Sequence, residues 1–199
     1  MTLVVVGLVL AAGAGRRFGG PKAVVELEGE RLVDRAVRVL AEAGVATTYV
    51  VSGAVDLVVP GATVVPNPDW AEGMGSSLRA GLAAVSLGGA QALVVLPVDQ
   101  PGVSPAAVRR VMAAGSGTDV RVAGGLAAAV VVATYAGRGG HPVLLGAEHW
   151  DAAAALAVGD VGARVFLQSR PELVTRVECS DVADGGDVDV PEDLARFSG

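Results

Sequence analysis

The sequence predicts an α/β protein, a three-layer α/β/α domain around a mostly parallel central sheet with a small antiparallel insertion. Three observations carry that expectation. Apolar β-branched runs alternate with amphipathic stretches along the chain, as strands do when crossover helices join them. Runs such as residues 3–10 and 91–98 are apolar without alternation, as in strands covered on both faces. A glycine-rich segment follows the first run directly, at residues 11–21, where open parallel sheets bring backbone up to a ligand. The length, 199 residues, fits one domain over 1–199.

The elements follow in order. Residues 3–10 read as a central parallel strand. Residues 31–43 place Leu32, Val33, Ala36, Val37 and Leu40 on one face with Gly44 as a stop, an amphipathic helix. Residues 47–52 and 62–65 read as strands. Ser76 or Ser77 is expected to cap a helix through Val85, with Leu78, Leu82 and Val85 inward. Residues 91–98 form another buried strand. Ser104-Pro105 opens a helix with a capping hydroxyl and a first-turn proline. Strands are expected at 129–135 and 142–145, the latter pair as the antiparallel insertion. Helices follow near 148–157 and 163–169, then a strand near 173–178 and a last helix from Pro191.

Composition narrows the function classes. Apolar residues make up 52% and charged residues 18%, with mean hydropathy +0.54. The surplus is Ala and Val, and the run at 126–133 is too short to span a bilayer. No Lys or Arg precedes the apolar residues 3–12, and Arg16-Arg17 follow them, the reverse of a secretory signal. A buried strand and a cytoplasmic protein are expected, with no membrane partner. One cysteine, Cys179, rules out an internal disulfide and a cysteine-based zinc site. The net charge of −6 speaks against nucleic acid as a partner. Residues 1–25 carry Arg16, Arg17 and Lys22 and no acid, whereas residues 178–193 hold seven acids and no base. A basic loop and an acidic terminal stretch can face each other across a site for phosphates and a cation; a solvated acidic tail is the other reading.

The glycine loop fits two familiar phosphate-binding schemes poorly. Gly15 to Gly20 has P-loop spacing, but Pro21 precedes Lys22 and Ala23 replaces the hydroxyl. A dinucleotide fingerprint needs a glycine where Phe18 stands, a helix directly after the loop, and an acid about twenty residues on; Gly19-Gly20-Pro21 opposes the helix. A third scheme wraps the loop around a nucleoside triphosphate and clamps its phosphates with one Arg and one Lys. Of 15 basic residues 14 are Arg, and the single Lys is Lys22. A compact ammonium reaches a phosphate oxygen where a planar guanidinium does not fit.

The loop Leu10-Ala11-Ala12-Gly13-Ala14-Gly15-Arg16-Arg17-Phe18-Gly19-Gly20-Pro21-Lys22 resembles the signature of nucleotidyltransferases with a Rossmann-like fold. More narrowly, the chain resembles the molybdenum cofactor cytidylyltransferases. That resemblance rests on Asn67-Pro68-Asp69-Trp70 through Leu78, Leu96-Pro97-Val98-Asp99-Gln100-Pro101, Gly140-His141-Pro142-Val143-Leu144, Gly159-Asp160 through Arg164, and Asp187-Val188-Asp189-Val190-Pro191-Glu192-Asp193-Leu194. It spans nearly the whole chain, in order. Val190 departs from the Thr often found there.

The resemblance implies transfer of CMP from CTP, or another NTP, to the terminal phosphate of molybdenum-bound molybdopterin, with release of pyrophosphate and with Mg²⁺ as cofactor. It implies Arg17, Lys22 and Asp99 as catalytic residues, and nucleotide contacts at Leu10, Ala11, Ala12, Gly13, Gly15, Gly75 and Ser76. Asp99 ends a buried strand, where a carboxylate can hold Mg²⁺ with phosphates and water or simply form a turn. Asp189 is the candidate second ligand, and Asp187 competes with it. His141 and Arg164 are candidate acceptor contacts; a structural histidine and an Asp160–Arg164 ion pair are the alternatives. Trp70 and His149 read as packing residues. A molybdoenzyme or its accessory protein is an expected partner. Two rivals remain open: a nicotinamide-dependent oxidoreductase of the nicotine blue type, which some relatives with this loop are, and a non-catalytic cofactor carrier.

Overall fold

The computed structural model describes residues 4–116 and 125–198. Residue 3 of the expected first strand lies outside them. Strand β1 (Val5–Leu10) is followed by the glycine loop and a small hairpin of β2 (Glu26–Leu27) and β3 (Glu30–Arg31). Helix α1 (Leu32–Glu42), β4 (Thr48–Ser52) and β5 (Thr63–Pro66) come next. Then come α2 (Met74–Ser86), β6 (Ala92–Pro97) and α3 (Pro105–Gly115). The second half holds β7 (Val130–Tyr135), β8 (Arg138–Gly146), α4 (Trp150–Leu156), α5 (Arg164–Ser169) and β9 (Val174–Glu178).

Seven strands form one sheet in the order β5-β4-β1-β6-β8-β7-β9. Only β8 runs against the others, pairing antiparallel with both β6 and β7. The expected antiparallel insertion is therefore one strand laid inside the sheet. The central strands are buried on both faces, and their side chains divide with the period of two that a pleat imposes. Val6, Leu8 and Leu10 join Leu78, Leu82 and Val85 of α2, Trp150 of α4 and Phe166 of α5. Val9 and Ala11 join Leu32, Val33, Val37 and Leu40 of α1 and Val108 and Val111 of α3. Those two cores make three layers. Truncating a fully buried leucine such as Leu8 costs about 2–5 kcal/mol.

Two expectations need correction, and one element is new. Ser76 and Ser77 do not cap α2: the helix begins at Met74 with Gly73 before it, and both serines are buried inside it. The reason is Asn67, whose Nδ2 donates to Ser76 Oγ at 2.9 Å and Ser77 Oγ at 3.1 Å. The last helix from Pro191 is a 3-10 turn, Pro191–Arg196. The β2–β3 hairpin is additional. Ser104 does cap α3, accepting from Ala107 N at 3.2 Å.

The topology positions a site. The chain runs from β1 outward to β4 and β5, then returns to β6 on the other side of β1. The switch point lies between β1 and β6, where open sheets bind ligands at the carboxyl ends of the strands. Leu10 pairs with Pro97 there, so residues 10–12 and 97–99 lie side by side.

Candidate nucleotide-binding site

A cleft of about 370 Å³ opens at this switch point. Its floor is Leu10, Ala12, Pro97, Val98 and Asp99. One wall is the loop Gly13 to Arg17 with Lys22; the other is Trp70, Ala71, Gly73, Met74 and Ser77 with Asp160.

The loop folds back on itself. Gly15 has φ +58°, and its carbonyl accepts from Gly19 N at 2.9 Å and Gly20 N at 3.2 Å. A side chain there would overlap the Gly20 carbonyl, so only glycine closes this turn. No α-helix follows. Pro21 leads into a single 3-10 turn, Lys22–Val24, and α1 starts ten residues past Lys22. The loop thus lacks the helix that a dinucleotide fingerprint or a P-loop requires.

The basic loop meets the acidic terminal stretch. Arg17 makes a fork of two hydrogen bonds to Asp189, at 3.0 and 2.9 Å. Lys22 Nζ donates to Asp99 Oδ2 at 2.9 Å and to Asp189 Oδ1 at 3.5 Å. The Lys22 side chain is 14% exposed, against 76% for Arg17. Residues 187–189 are held against the end of β6 by Val188 N, which donates to the Asp99 carbonyl at 2.8 Å. Asp193 fixes the same segment, accepting from Asp189 N at 2.8 Å and Val190 N at 3.0 Å; those backbone bonds hold its carboxyl below the usual range.

Asp187 accepts from Gln100 Nε2 at 2.7 Å. Burial pushes its carboxyl up, and the nearby Asp99 and Asp189 reinforce that. His141 is pushed down to about 4 by burial; Asp99 opposes the shift and Arg164 adds to it. Asp99, His141 and Arg164 therefore share one electrostatic neighbourhood. Among the described residues Gln100 Oε1 and His141 Nδ1 are buried with no hydrogen-bond partner, an arrangement that leaves them to a ligand or water.

Most of the expected residues converge: Arg17, Lys22, Asp99 and Asp189 in one ion-paired cluster, and Leu10, Ala12, Gly13 and Gly15 on the cleft. Ala11 lies in the core beneath the floor, its N–H donating to Val51 O at 3.0 Å. Gly75 packs against the Ala157 carbonyl, and Ser76 Oγ donates to Gly73 O at 2.9 Å; of that segment Gly73, Met74 and Ser77 line the cleft. Among the described residues Asp160 and Arg164 form no ion pair. Asn67 and Gln100 are additions. Each follows or ends a strand beside a proline, a position that favours side-chain bonding to nearby turns.

The cluster suits a hard divalent cation. Asp99 and Asp189 present carboxylate oxygens to a shared positive charge, the Lys22 ammonium. Among the described residues no three His, Cys, Asp or Glu side chains converge as a complete ligand set. Such a site fits an ion that takes one or two carboxylates and completes its shell with phosphates and water.

Residues 7–175 match the model of the MobA-like NTP transferase domain. The chain belongs to that family. It is a nucleotidyltransferase of the MobA-like type. It is 38% identical to the nicotine blue oxidoreductase of Paenarthrobacter nicotinovorans, over 97% of this chain and 96% of that protein. It is 37% identical to a probable molybdenum cofactor guanylyltransferase of Opitutus terrae, over 60% of this chain and 61% of that one. Among solved structures, a homologue of the tuberculosis protein Rv0371c from Mycobacterium sp. strain JC1 is 30% identical, with TM-score 0.77 over 97% of this chain and 94% of that one. Rv0371c of Mycobacterium tuberculosis in complex with manganese is 26% identical, with TM-score 0.70 over 98% and 97%. A nucleotidyl transferase of Methanothermobacter thermautotroptrophicus, 22% identical with TM-score 0.75 over 98% and 95%, shares the Rossmann-like nucleotidyltransferase fold.

Proposed function

We propose that the chain, acting as one domain over residues 1–199, transfers CMP from CTP to the terminal phosphate of a molybdopterin-type acceptor and releases pyrophosphate. The observation that carries this reading is the convergence of Arg17 and Lys22 with Asp99 and Asp189 at the β1/β6 switch point. A phosphate monoester is largely ionised at pH 7, with its second pKa near about 6, so attack on the α-phosphorus needs no general base. What remains is positioning and charge neutralisation.

Arg17 and Lys22 hold the β- and γ-phosphates as charge develops on the leaving pyrophosphate. Leu10 to Gly13 and Gly15 bring backbone close to the nucleotide, and the segment around Gly75 and Ser76 frames the base. Asp99 and Asp189 are the residues that would hold Mg²⁺. When bound, the ion supplies positive charge to the phosphate oxygens. His141 and Arg164 face the acceptor. A molybdoenzyme or its accessory protein receives the product, and the reaction belongs in the cytoplasm.

A second reading is favoured by one observation, the full-length similarity to a protein named as nicotine blue oxidoreductase. Hydride transfer from a nicotinamide cofactor has no use for a carboxylate pair around Lys22, and the glycine loop lacks its following helix. Thermal shift separates the two. A ligand at a hundred times its dissociation constant stabilises by about 2.7 kcal/mol. CTP with Mg²⁺ is expected to raise Tm, and GTP, ATP and UTP less so. A shift with NADPH and with no triphosphate, followed by NADPH-dependent bleaching of a quinonoid dye, overturns the transferase reading.

A further inference from the structure

We propose that Asp160 reads an exocyclic amino group of the nucleobase, and so sets the base class that the cleft accepts. The inference rests on the nucleotidyltransferase reading and deepens it. Asp160 lines the cleft on the wall opposite the glycine loop. That loop and Lys22 give the other wall three cations, Arg16, Arg17 and Lys22. Asp99 on the floor is paired with Lys22, so of the two lining carboxylates Asp160 is the one set on the wall away from those cations. A nucleoside triphosphate is polarised to match, with an anionic tail and a base that can carry a hydrogen-bond donor.

The position of Asp160 is built. Gly73, just before α2, and Gly75, in its first turn, lie where the 157–162 segment crosses. A Cβ at Gly73 would lie 2.5 Å from Asp160 Oδ1 and 2.6 Å from the Gly159 carbonyl oxygen. Gly73 also has φ +108°, a conformation side-chain-bearing residues avoid. A Cβ at Gly75 would lie 2.5 Å from the Ala157 carbonyl oxygen. Arg79, from the next turn of α2, donates to that carbonyl and pairs with Glu72. The segment is thus pinned on α2 at two points before it delivers Asp160 to the cleft.

Among the described residues the Asp160 carboxylate takes part in no ion pair and no hydrogen bond. An anion here repels the triphosphate, so the partner it seeks on a nucleotide is a donor. Cytosine offers its 4-amino group; guanine offers its N1–H and 2-amino group. Uracil presents a 4-oxo acceptor in place of the cytosine donor, and hypoxanthine lacks the 2-amino group. Sites that hydrogen-bond a polar group discriminate against its absence far better than apolar pockets do.

The test is calorimetric titration of the full chain with CTP, UTP, GTP and ITP in Mg²⁺, without acceptor, for the unaltered protein, Asp160→Ala and Asp160→Asn. The side chain is exposed and unbonded, so both variants are expected to fold, checked by far-UV circular dichroism. The unaltered protein is expected to prefer the amino-bearing member of one pair, CTP over UTP or GTP over ITP, by roughly tenfold or more. Asp160→Ala is expected to abolish most of that preference by weakening the amino-bearing nucleotide, with the other within about twofold of its original affinity. In Asp160→Asn the amide can turn its NH₂ toward an oxo group, so the CTP-to-UTP ratio falls further. Equal weakening of every triphosphate, as a ribose or packing contact gives, overturns the assignment. So does an unaltered preference, or binding of triphosphates with no preference in either pair; in those cases nucleotidyl transfer stands. Absence of all triphosphate binding in the unaltered protein removes both.

Discussion

Lys22 Nζ lies 2.9 Å from Asp99 Oδ2 and bridges on to Asp189 Oδ1 at 3.5 Å. The one lysine in the chain thus occupies the place between the two carboxylates that the proposed mechanism gives to a divalent cation. A triphosphate that drew the ammonium toward its phosphates would free Asp99 and Asp189 to hold a divalent ion, so nucleotide and metal binding are expected to be coupled. Lys22→Ala is expected to lower turnover roughly a hundredfold or more, the scale of losing one preorganised charge at a transition state. Lys22→Arg is expected not to restore it, because a planar guanidinium does not fit the 14%-exposed seat between two carboxylates. Steady-state pyrophosphate release measures both; near-normal turnover in Lys22→Ala would sink the role.

The same geometry predicts opposite effects on two ligands. Metal alone must compete with Lys22 for Asp99 and Asp189, so Mn²⁺ without nucleotide is expected to bind weakly. Removing the ammonium frees both carboxylates. Lys22→Ala is expected to tighten Mn²⁺ binding roughly tenfold, since one positive charge a few ångströms away is lost, while CTP binding weakens. Mn²⁺ titration followed by electron paramagnetic resonance reads the first and calorimetry the second. Parallel loss of both ligands contradicts the exchange.

Arg17 differs from Lys22 in exposure. Its fork to Asp189 is largely in solvent, and exposed pairs contribute about 0–1 kcal/mol. Arg17→Ala is expected to leave the urea midpoint nearly unchanged while lowering turnover by about the same factor as Lys22→Ala. A large fall in midpoint would mean that the Arg17–Asp189 pair is structural.

Much of this arrangement is legible in the sequence, for physical reasons that differ by element. Strands β1 and β6 are covered on both faces, so their unbroken apolar runs mark them. Helix α1 is legible because Leu32, Val33, Val37 and Leu40 form one stripe. The hairpin Glu26–Leu27 with Glu30–Arg31 is too short to leave a period. The serines of α2 look like caps because Ser before an apolar run usually is one; Asn67, on the preceding loop, takes their hydroxyls into the core instead. Lys22 stands out by composition alone. Its pairing with Asp189 joins residues 167 positions apart, which no local pattern encodes; the charge split between residues 1–25 and 178–193 suggests that the two stretches meet, and the resemblance of the terminal motif names Asp189.

Acid stability is expected to carry the mark of His141. Burial pulls its pKa down to about 4, against about 6.5 in an unfolded chain. Between those values the unfolded state binds a proton that the folded state refuses. Folding stability from this group is complete above about pH 6.5 and falls as pH drops toward 4, by up to about 3 kcal/mol. Glu178 is separate: hydrogen bonds from Ser180, Gly137 and Thr134 hold it near about 2, so its contribution fades only below about pH 4.5. Urea unfolding from pH 7 to 4.5 tests this. His141→Gln is expected to flatten that segment, and an unchanged slope excludes His141 as its source.

Asn67 joins fold and site, so its removal is expected to have two separable effects. It is 4% exposed, donates to both Ser76 and Ser77, accepts from Asp69 N at 3.1 Å, and its own N–H reaches Ser52 O at 2.8 Å. Asn67→Ala deletes the amide and leaves two buried hydroxyls short of a donor. Unpaired buried polar groups cost about 1–3 kcal/mol each, although Ser76 keeps its bond to the Gly73 carbonyl. A loss of about 1–3 kcal/mol is therefore expected in urea unfolding. The second effect is on the cleft, because Ser77 and the Gly73–Met74 turn line it. With the first turn of α2 released, nucleotide KM is expected to rise more than kcat falls, since Arg17, Lys22 and Asp99 keep their places on other elements. Asn67→Leu separates volume from hydrogen bonding: it fills nearly the same space but can neither donate to nor accept from the serines. If it restores stability and KM together, the hydrogen bonds to Ser76 and Ser77 are not what sets that wall.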